Sequence, residues 1–240
     1  MLSVSVVVPT YNEFENVVLV IPKIHETLGS RQHEVVVVDD DSPDGTAEAV
    51  RKLALTASWL KLLVRKGKRG LGTALAEGYD AASLGVIVSM DADLSFDCAD
   101  ILRLVEAVEA GADLALGTRH MEGGGYAATA LDVRVKRAIS ALGNRVVRWA
   151  TGVPVRDVSA NFRAVRRSVW PSIRTLDQTN FMLLEMILSA AKAGLRIVEV
   201  PVRFGERVHG ASKLNFFIEL PRFGLRLLRS ALAVVVHPGA

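Results

Sequence analysis

The sequence predicts an α/β fold: a mostly parallel, doubly wound sheet with helices on both faces, followed by an amphipathic helical extension at the C-terminus. Three observations carry this. Short apolar runs of strand length recur along the first half of the chain, segments with helical spacing separate them, and acid-bearing motifs follow several of the runs. Strands that alternate with helices are covered on both faces, which is why they read as near-continuous Val, Ile and Leu.

The strand candidates, in order, are VSVVV (4–8), EVVVV (34–38), LKLLV (60–64), GVIVSM (85–90) and ADLALG (112–117). Between them, FENVVLVIPKIHETLG, DGTAEAVRKLALTA, GLGTALAEGYDAAS and CADILRLVEAVEAG have helical spacing. Pro22 lacks an amide hydrogen, so it should kink or shorten the first of these helices. Asp44 and Asp97 are placed to cap the helices that follow them. After residue 118 the order changes: MEGGGYAATA (121–130) is a Gly-rich connection, followed by a basic helical stretch at 132–150 and a helix near 180–194. RIVEVPVRF reads as a last strand before GERVHGASKLN and an apolar tail studded with arginine. The economical division is one domain over 1–213 and a tail over 214–240.

A chain of 240 residues, half of them hydrophobic, is long enough to bury a sizeable core. Its single cysteine, Cys98, rules out an intrachain disulfide and suits a reducing compartment. No run approaches the ~20 apolar residues of a membrane span, and the start lacks the pattern of a signal peptide. Charge is divided unevenly: residues 1–120 hold 11 Lys+Arg against 18 Asp+Glu, and residues 121–240 hold 18 against 8. The two halves are expected to face different partners, none of them a nucleic acid.

In an open doubly wound sheet, ligands bind outside the carboxyl ends of the strands. PTYNE (9–13), VDDDSPDGT (38–46) and MDADLS (90–95) fall there. Asp39, Asp40 and Asp41 alone are compatible with a solvated turn. Asp91 and Asp93 ask for more, because a helix cap needs one acid and Ser95 or Asp97 already offers a cap. Two carboxylates one residue apart can share a hard divalent cation, Mg²⁺ or Mn²⁺, which relieves their repulsion and can neutralise a diphosphate leaving group. The five histidines have no metal-ligand spacing, GLGTAL departs from the dinucleotide fingerprint, and no nucleophile-elbow serine is present.

In order along the chain, VVVPTYNEFENV, VVVVDDDSPDGT, KRGLGTALAEGY, MDADLS, LGTRH, VRDVSANFR, IVEVPVRF and ERVHGASKL resemble the dolichol-phosphate mannose synthases of the A-type inverting glycosyltransferase superfamily. The likeness extends over residues 4–214. It implies transfer of mannose from GDP-mannose to dolichyl or another polyprenyl phosphate, by a protein peripheral to the cytoplasmic side of a membrane, with a membrane partner subunit as a further option. Donor contacts carried over by the resemblance are Pro9, Tyr11, Glu13, Val38 and Asp40, with Asp91, Ala92 and Asp93 around diphosphate and metal. Tyr11 offers an aromatic face for the base, or packs in the core. Arg119, Arg134, Arg207, Ser212 and Lys213 match positions that approach donor or acceptor phosphates, a task suited to the planar, always-charged guanidinium. Asp91, Asp93, Arg119 and Arg207 are the expected catalytic set.

Two positions depart from the family pattern. Ser95 stands where a glutamine commonly supplies a third metal ligand, so the metal set here is Asp91, Asp93 and Ser95. ANF (160–162) stands where the family has SGF, and Asn161 is expected to take the left-handed turn that glycine would. A phosphate acceptor is already anionic, so no general base is required; Asp157 either serves the acceptor, or acts as a cap or as the partner of a nearby arginine. Three alternatives stay open: the same fold using UDP-glucose or another donor, a non-catalytic nucleotide-sugar-binding subunit, and a sugar-nucleotide pyrophosphorylase, whose Gly-rich basic loop the PTYNEFEN segment lacks. In the tail, apolar residues from Phe216 to Ala231 and Arg222, Arg226 and Arg229 recur at helical spacings, so it lies either in the membrane interface or on the domain's own core.

Overall fold

The computed structural model describes residues 1–126, 131–175, 177–209 and Arg226, with the backbone alone for Tyr126 and residues 131–139. The chain runs β1 (Val4–Thr10), α1 (Phe14–Leu28), β2 (His33–Asp39), α2 (Thr46–Ala54), β3 (Leu60–Val64), α3 (Leu71–Ala81), β4 (Val86–Ser89), α4 (Asp100–Glu109), β5 (Leu114–Thr118), β6 (Gly125–Tyr126) and α5 (Leu131–Thr151). It continues with β7 (Arg163–Arg166), a 3₁₀ turn, α6 (Trp170–Ile173), α7 (Met182–Lys192), β8 (Ile197–Pro201) and β9 (Arg203–Phe204). The seven-stranded sheet has the order β3-β2-β1-β4-β7-β5-β8, and β6 and β9 form a separate parallel pair.

Period-two alternation sorts each strand between two apolar layers. Val4, Val6 and Val8, Val35 and Val37, and Val86 and Val88 join one buried layer with α1, α2 and α4. Val7, Val36, Val38, Ile87, Leu114 and Leu116 join the other with α3, α6 and α7. Gly78 brings α3 close to the sheet: a β-carbon there would sit 2.4 Å from a Val7 methyl.

The five early strands and the helices between them lie where the sequence places them. Two expectations are corrected. Helix α1 is not shortened at Pro22 and runs on to Leu28; the carbonyl deprived of its bond belongs to Val18, an exposed residue. The Gly-rich connection also contains a strand, β6, whose Gly125 and Tyr126 pair with Arg203 and Phe204.

Strand β7 was not anticipated. It lies between β4 and β5, antiparallel to both, and is the only strand of the large sheet so oriented among the described residues. Its four residues, RAVR, have charge at both ends and resemble no buried strand. The boundary expected at 213/214 and the tail, Arg226 excepted, lie outside the described residues.

Candidate active site

The carboxyl ends of β1, β2 and β4 converge on one edge of the sheet, and three tight turns there aim acids outward. Asn12, Asp41 and Leu94, one in each turn, have left-handed backbones (φ 54°, 55° and 58°). After β2, the buried Asp39 accepts bonds from Thr10 Oγ1 (2.9 Å) and from the Ser42 hydroxyl (2.6 Å) and amide (2.9 Å). Asp44 accepts from the first amide of α2 at Thr46 (3.0 Å), as expected, and also from that of α1 at Phe14 (3.1 Å). One carboxylate thus ties the starts of two helices together, so DDDSPDGT is a hydrogen-bonded turn, with Asp41, Pro43 and Asp44 exposed. Asp97 bonds the Ala99 amide ahead of α4.

Asp40 carries the loop after β3. Arg65 Nε donates to it at 2.7 Å and the Gly70 amide at 3.0 Å, so the buried ion pair holds the entrance to α3 beside the donor edge. Tyr11 lies under the Arg69 guanidinium, 4.0 Å from the ring centroid, so the aromatic face expected for a base carries a cation. Pro9 and Val38 are register partners across β1 and β2, with the Val38 side chain wholly buried. Ala92 packs its methyl group into the core.

The DAD loop is at the centre. Asp93 Oδ1 accepts the amide (3.0 Å) and hydroxyl (2.6 Å) of Ser95, and Arg207 Nη2 lies 2.9 Å from Asp93 Oδ2. Arg207 Nη1 also donates to Glu13 Oε1 at 3.4 Å. Segment 204–208 runs alongside the loop, with the Gly205 amide on the Ser95 carbonyl (2.7 Å) and the Val208 amide on the Asp93 carbonyl (3.1 Å). Residues remote in sequence, Glu13, Asp93 and Arg207, are therefore joined in one chain of charge.

Asp91 is treated differently. Its Oδ1 accepts from Asn161 Nδ2 at 2.9 Å. Burial first, and the Asp93 carboxylate second, raise its pKa to about 6, against the opposing pull of Asn161, Arg207 and Arg119. Asn161 is not in the left-handed region, which corrects the expectation of a glycine-like backbone there. The amide binds the first acid of the motif, and its Oδ1 is buried without a hydrogen-bond partner.

Next to this pair lies a second ion pair. Arg119 grips Asp157 through Nε (2.7 Å) and Nη2 (2.9 Å), with a further bond to Ser159 Oγ (2.9 Å). Burial works to raise the Asp157 pKa, but Arg119 outweighs it and holds the carboxyl below its ordinary value. The pairing of Asp157 with an arginine, one of the expectations for it, is observed. Beneath both acids Arg163 is wholly buried; it donates to the carbonyls of Leu183 (2.8 Å) and Ala160 (2.6 Å), and burial lowers its pKa against the pull of Tyr79, Asp157 and Asp91.

The structure thus brings together Glu13, Asp91, Asp93, Ser95 and Arg207, with Arg119 close enough to act on Asp91 electrostatically, and sets Tyr11 and Asp40 at the adjoining edge. Ser212, Lys213 and the side chain of Arg134 lie outside the described residues. Sequence reasoning missed the roles of Arg65, Arg69, Asn161 and Arg163. For Asn161 the departure from SGF was the available signal.

Among the described residues no group of three or more His, Cys, Asp or Glu gathers as a metal site. The donor set nevertheless fits Mg²⁺ or Mn²⁺, which are commonly held by one or two carboxylates plus substrate phosphates. Burial first, and the neighbouring Asp93 carboxylate second, raise the proton affinity of Asp91, and a cation would relieve the second of these. Also among the described residues, no helix is long and apolar enough to cross a membrane.

A doubly wound sheet with paired acids after its fourth strand defines an A-type glycosyltransferase. The chain belongs to glycosyl transferase family 2, which matches residues 5–170. It is 37% identical over 218 residues to the polyprenol monophosphomannose synthase of Mycolicibacterium smegmatis, covering 88% of this chain and 80% of that protein. It is 36% identical over 217 residues to the dolichol-phosphate mannosyltransferase of Pyrococcus furiosus, covering 89% of this chain but 60% of that longer protein. In fold it is similar to glucosyl-3-phosphoglycerate synthase from Mycobacterium tuberculosis, solved with Mn²⁺, UDP-glucose and phosphoglyceric acid. That likeness has a TM-score of 0.70 at 21% identity, covering 100% of this chain and 82% of that one. The same enzyme was also solved with Mg²⁺ and UDP.

Proposed function

We propose that this glycosyltransferase moves mannose from GDP-mannose to a polyprenyl phosphate such as dolichyl phosphate, with inversion and with Mg²⁺ or Mn²⁺. The observation that carries the reading is the joining of Glu13, Asp93 and Arg207 beside Asp91 at the edge where a doubly wound sheet binds nucleotides. The names of the two relatives support the sugar and the lipid acceptor.

An acceptor phosphate oxygen attacks the anomeric carbon, the bond from that carbon to the diphosphate breaks, and GDP leaves with the electron pair. The acceptor oxygen is anionic at neutral pH, so no residue has to remove a proton. The chain's task reduces to alignment and charge. Asp91 and Asp93 would hold the cation, which supplies positive charge to the departing diphosphate. Arg207, already between Glu13 and Asp93, is placed to turn its fork toward a phosphate, and Arg119, fixed by Asp157, presents a second cation. The Asp40–Arg65 pair and the Gly70 amide shape the nucleotide side. Ser95 donates its hydroxyl proton to Asp93, which leaves the lone pairs of its oxygen available to the cation.

Arg134, Ser212 and Lys213 belong to this proposal as phosphate contacts. The tail, 214–240, belongs to it as a contact with the cytoplasmic face of a membrane, alone or with a membrane partner subunit. The test is a radiolabel transfer assay that offers GDP-mannose and UDP-glucose in parallel, with and without polyprenyl phosphate. Label from GDP-mannose should enter the lipid fraction only when polyprenyl phosphate is present. Label from UDP-glucose instead, or none from either, overturns the proposal.

A further inference from the structure

We infer that Arg226, the one described residue of the tail, is a positioning residue for the donor site: clasped to Asp177 and Thr179, it backs the turn that opens α3 beside the nucleotide edge. Arg226 Nη1 lies 2.7 Å from Asp177 Oδ2 and donates also to Thr179 Oγ1. The Asp177 side chain is only 14% exposed, and its other oxygen is taken, with Oδ1 accepting the Thr179 amide (2.7 Å) and hydroxyl (2.6 Å). Thr179 Oγ1 in turn accepts the Phe181 amide ahead of α7. A guanidinium with two partners on one hydrogen-bonded turn is held by direction as well as by charge.

The same segment, 177–179, has a second side. Its carbonyls come so close to the first turn of α3 that only glycine fits there. A β-carbon at Gly72 would lie 2.4 Å from the Asp177 oxygen and 2.6 Å from that of Thr179, and one at Gly70 2.6 Å from that of Gln178. The segment is therefore a single layer of chain, with Arg226 against its side chains and α3 against its carbonyls.

Gly70 is also where the donor edge is held. Its amide donates to Asp40, its carbonyl accepts from Arg65 Nη2 (3.3 Å), and Arg69, the preceding residue, covers Tyr11. Close-packed groups have no slack, so a shift of 177–179 is felt at Gly70 and through it at Asp40, Arg69 and Tyr11. Under the proposed function, on which this point rests, those residues meet the donor nucleotide. Because the contacts from Arg226 to Gly70 leave out Asp91 and Asp93, the effect falls on donor binding rather than on the transfer step.

Calorimetry of GDP with Mn²⁺ on the full chain tests this, with KM for GDP-mannose and for polyprenyl phosphate measured alongside. Arg226→Gln should raise the GDP Kd and the GDP-mannose KM about three- to tenfold, while kcat and the acceptor KM stay within about twofold. Arg226→Lys should recover part of the loss. Asp177→Asn keeps an oxygen for Thr179, so it should match Arg226→Gln, and the two together should be no worse than either alone. Loss of fold would instead lower the number of binding sites and leave Kd unchanged. An unaltered GDP affinity in Arg226→Gln overturns the inference, as do additive effects of the two substitutions, or a rise confined to the acceptor KM, which would assign Arg226 to the lipid. If Arg226→Gln weakens GDP but wild type transfers no mannose to polyprenyl phosphate, the proposed function falls and the positioning role stands.

Discussion

Replacing Asp91 by Asn tests the electrostatics of the site without donor or acceptor. Asp91 is the acid whose pKa burial and Asp93 raise from 3.8 to about 6. At ~1.4 kcal/mol per tenfold change in proton affinity, that difference corresponds to on the order of 3 kcal/mol. The folded protein holds this proton more tightly than the unfolded chain. The contribution to stability is therefore complete below pH 3.8, declines as pH rises toward 6, and is gone at neutral pH. Asp157, Glu34, Asp44 and Asp80, whose pKa values are lowered, contribute in the opposite sense, but they are common to wild type and variant.

The difference between wild type and Asp91→Asn isolates the one group. An asparagine oxygen at this position still accepts from Asn161, so packing is kept. In EDTA, the stability of the variant relative to wild type should rise between about pH 4 and pH 7.5, by up to ~3 kcal/mol. Urea unfolding at several pH values measures it. Added Mn²⁺ with GDP should then stabilise wild type more than the variant. A wild-type-to-variant difference that is flat from pH 4 to 7.5 would refute the reasoning, because Asp91 would then titrate alike in the folded and unfolded chain.

Asn161→Ala should weaken Mn²⁺ binding in the presence of GDP by about 10- to 100-fold, as loss of a group that orients a metal ligand commonly does; an unchanged calorimetric titration would detach Asn161 from the cation. Asp157→Asn leaves Arg119 in a buried setting without its counter-charge and should cost about 3 kcal/mol at pH 7. Because the Asp157 pKa is lowered, the advantage of wild type should shrink as pH falls below 3.8, and an equal urea midpoint for both proteins at pH 7 would count against the pair. GDP should raise the melting temperature more than UDP at equal concentration, and the reverse order would favour a uridine donor.

How much was legible depended on whether a residue's task was repetitive or singular. The valine runs of β1, β2 and β4 face two apolar layers at once, so every position gives the same signal and both the strands and their parallel order follow. The acids fall at strand ends because an open sheet has its ligand edge there; Asp91 and Asp93 lie side by side after β4, and Asp97 takes the bond ahead of α4. Arg65, Arg69 and Arg163 gave no such signal. A buried arginine and a surface one look alike in sequence; only the fold shows that Arg65 closes on Asp40 while Arg69 covers Tyr11.

Strand β7 shows why the site itself was the harder part. In β7, Arg163 pairs with Ser89, the last residue of β4, and the two strands run in opposite directions. The residues that precede Arg163 therefore arrive at the edge where Asp91 and Asp93 leave β4. A parallel β7 would send 157–161 to the far edge of the sheet, and neither the bond from Asn161 to Asp91 nor the pairing of Asp157 with Arg119 would form there. At the start of the reversed strand the Arg163 guanidinium bonds the carbonyls of Ala160 and Leu183 and so ties the approach to β7 to α7. A four-residue segment with arginine at each end is thus the element that brings the second ion pair to the first, and the charge that hides it in the sequence is the charge that holds it in place.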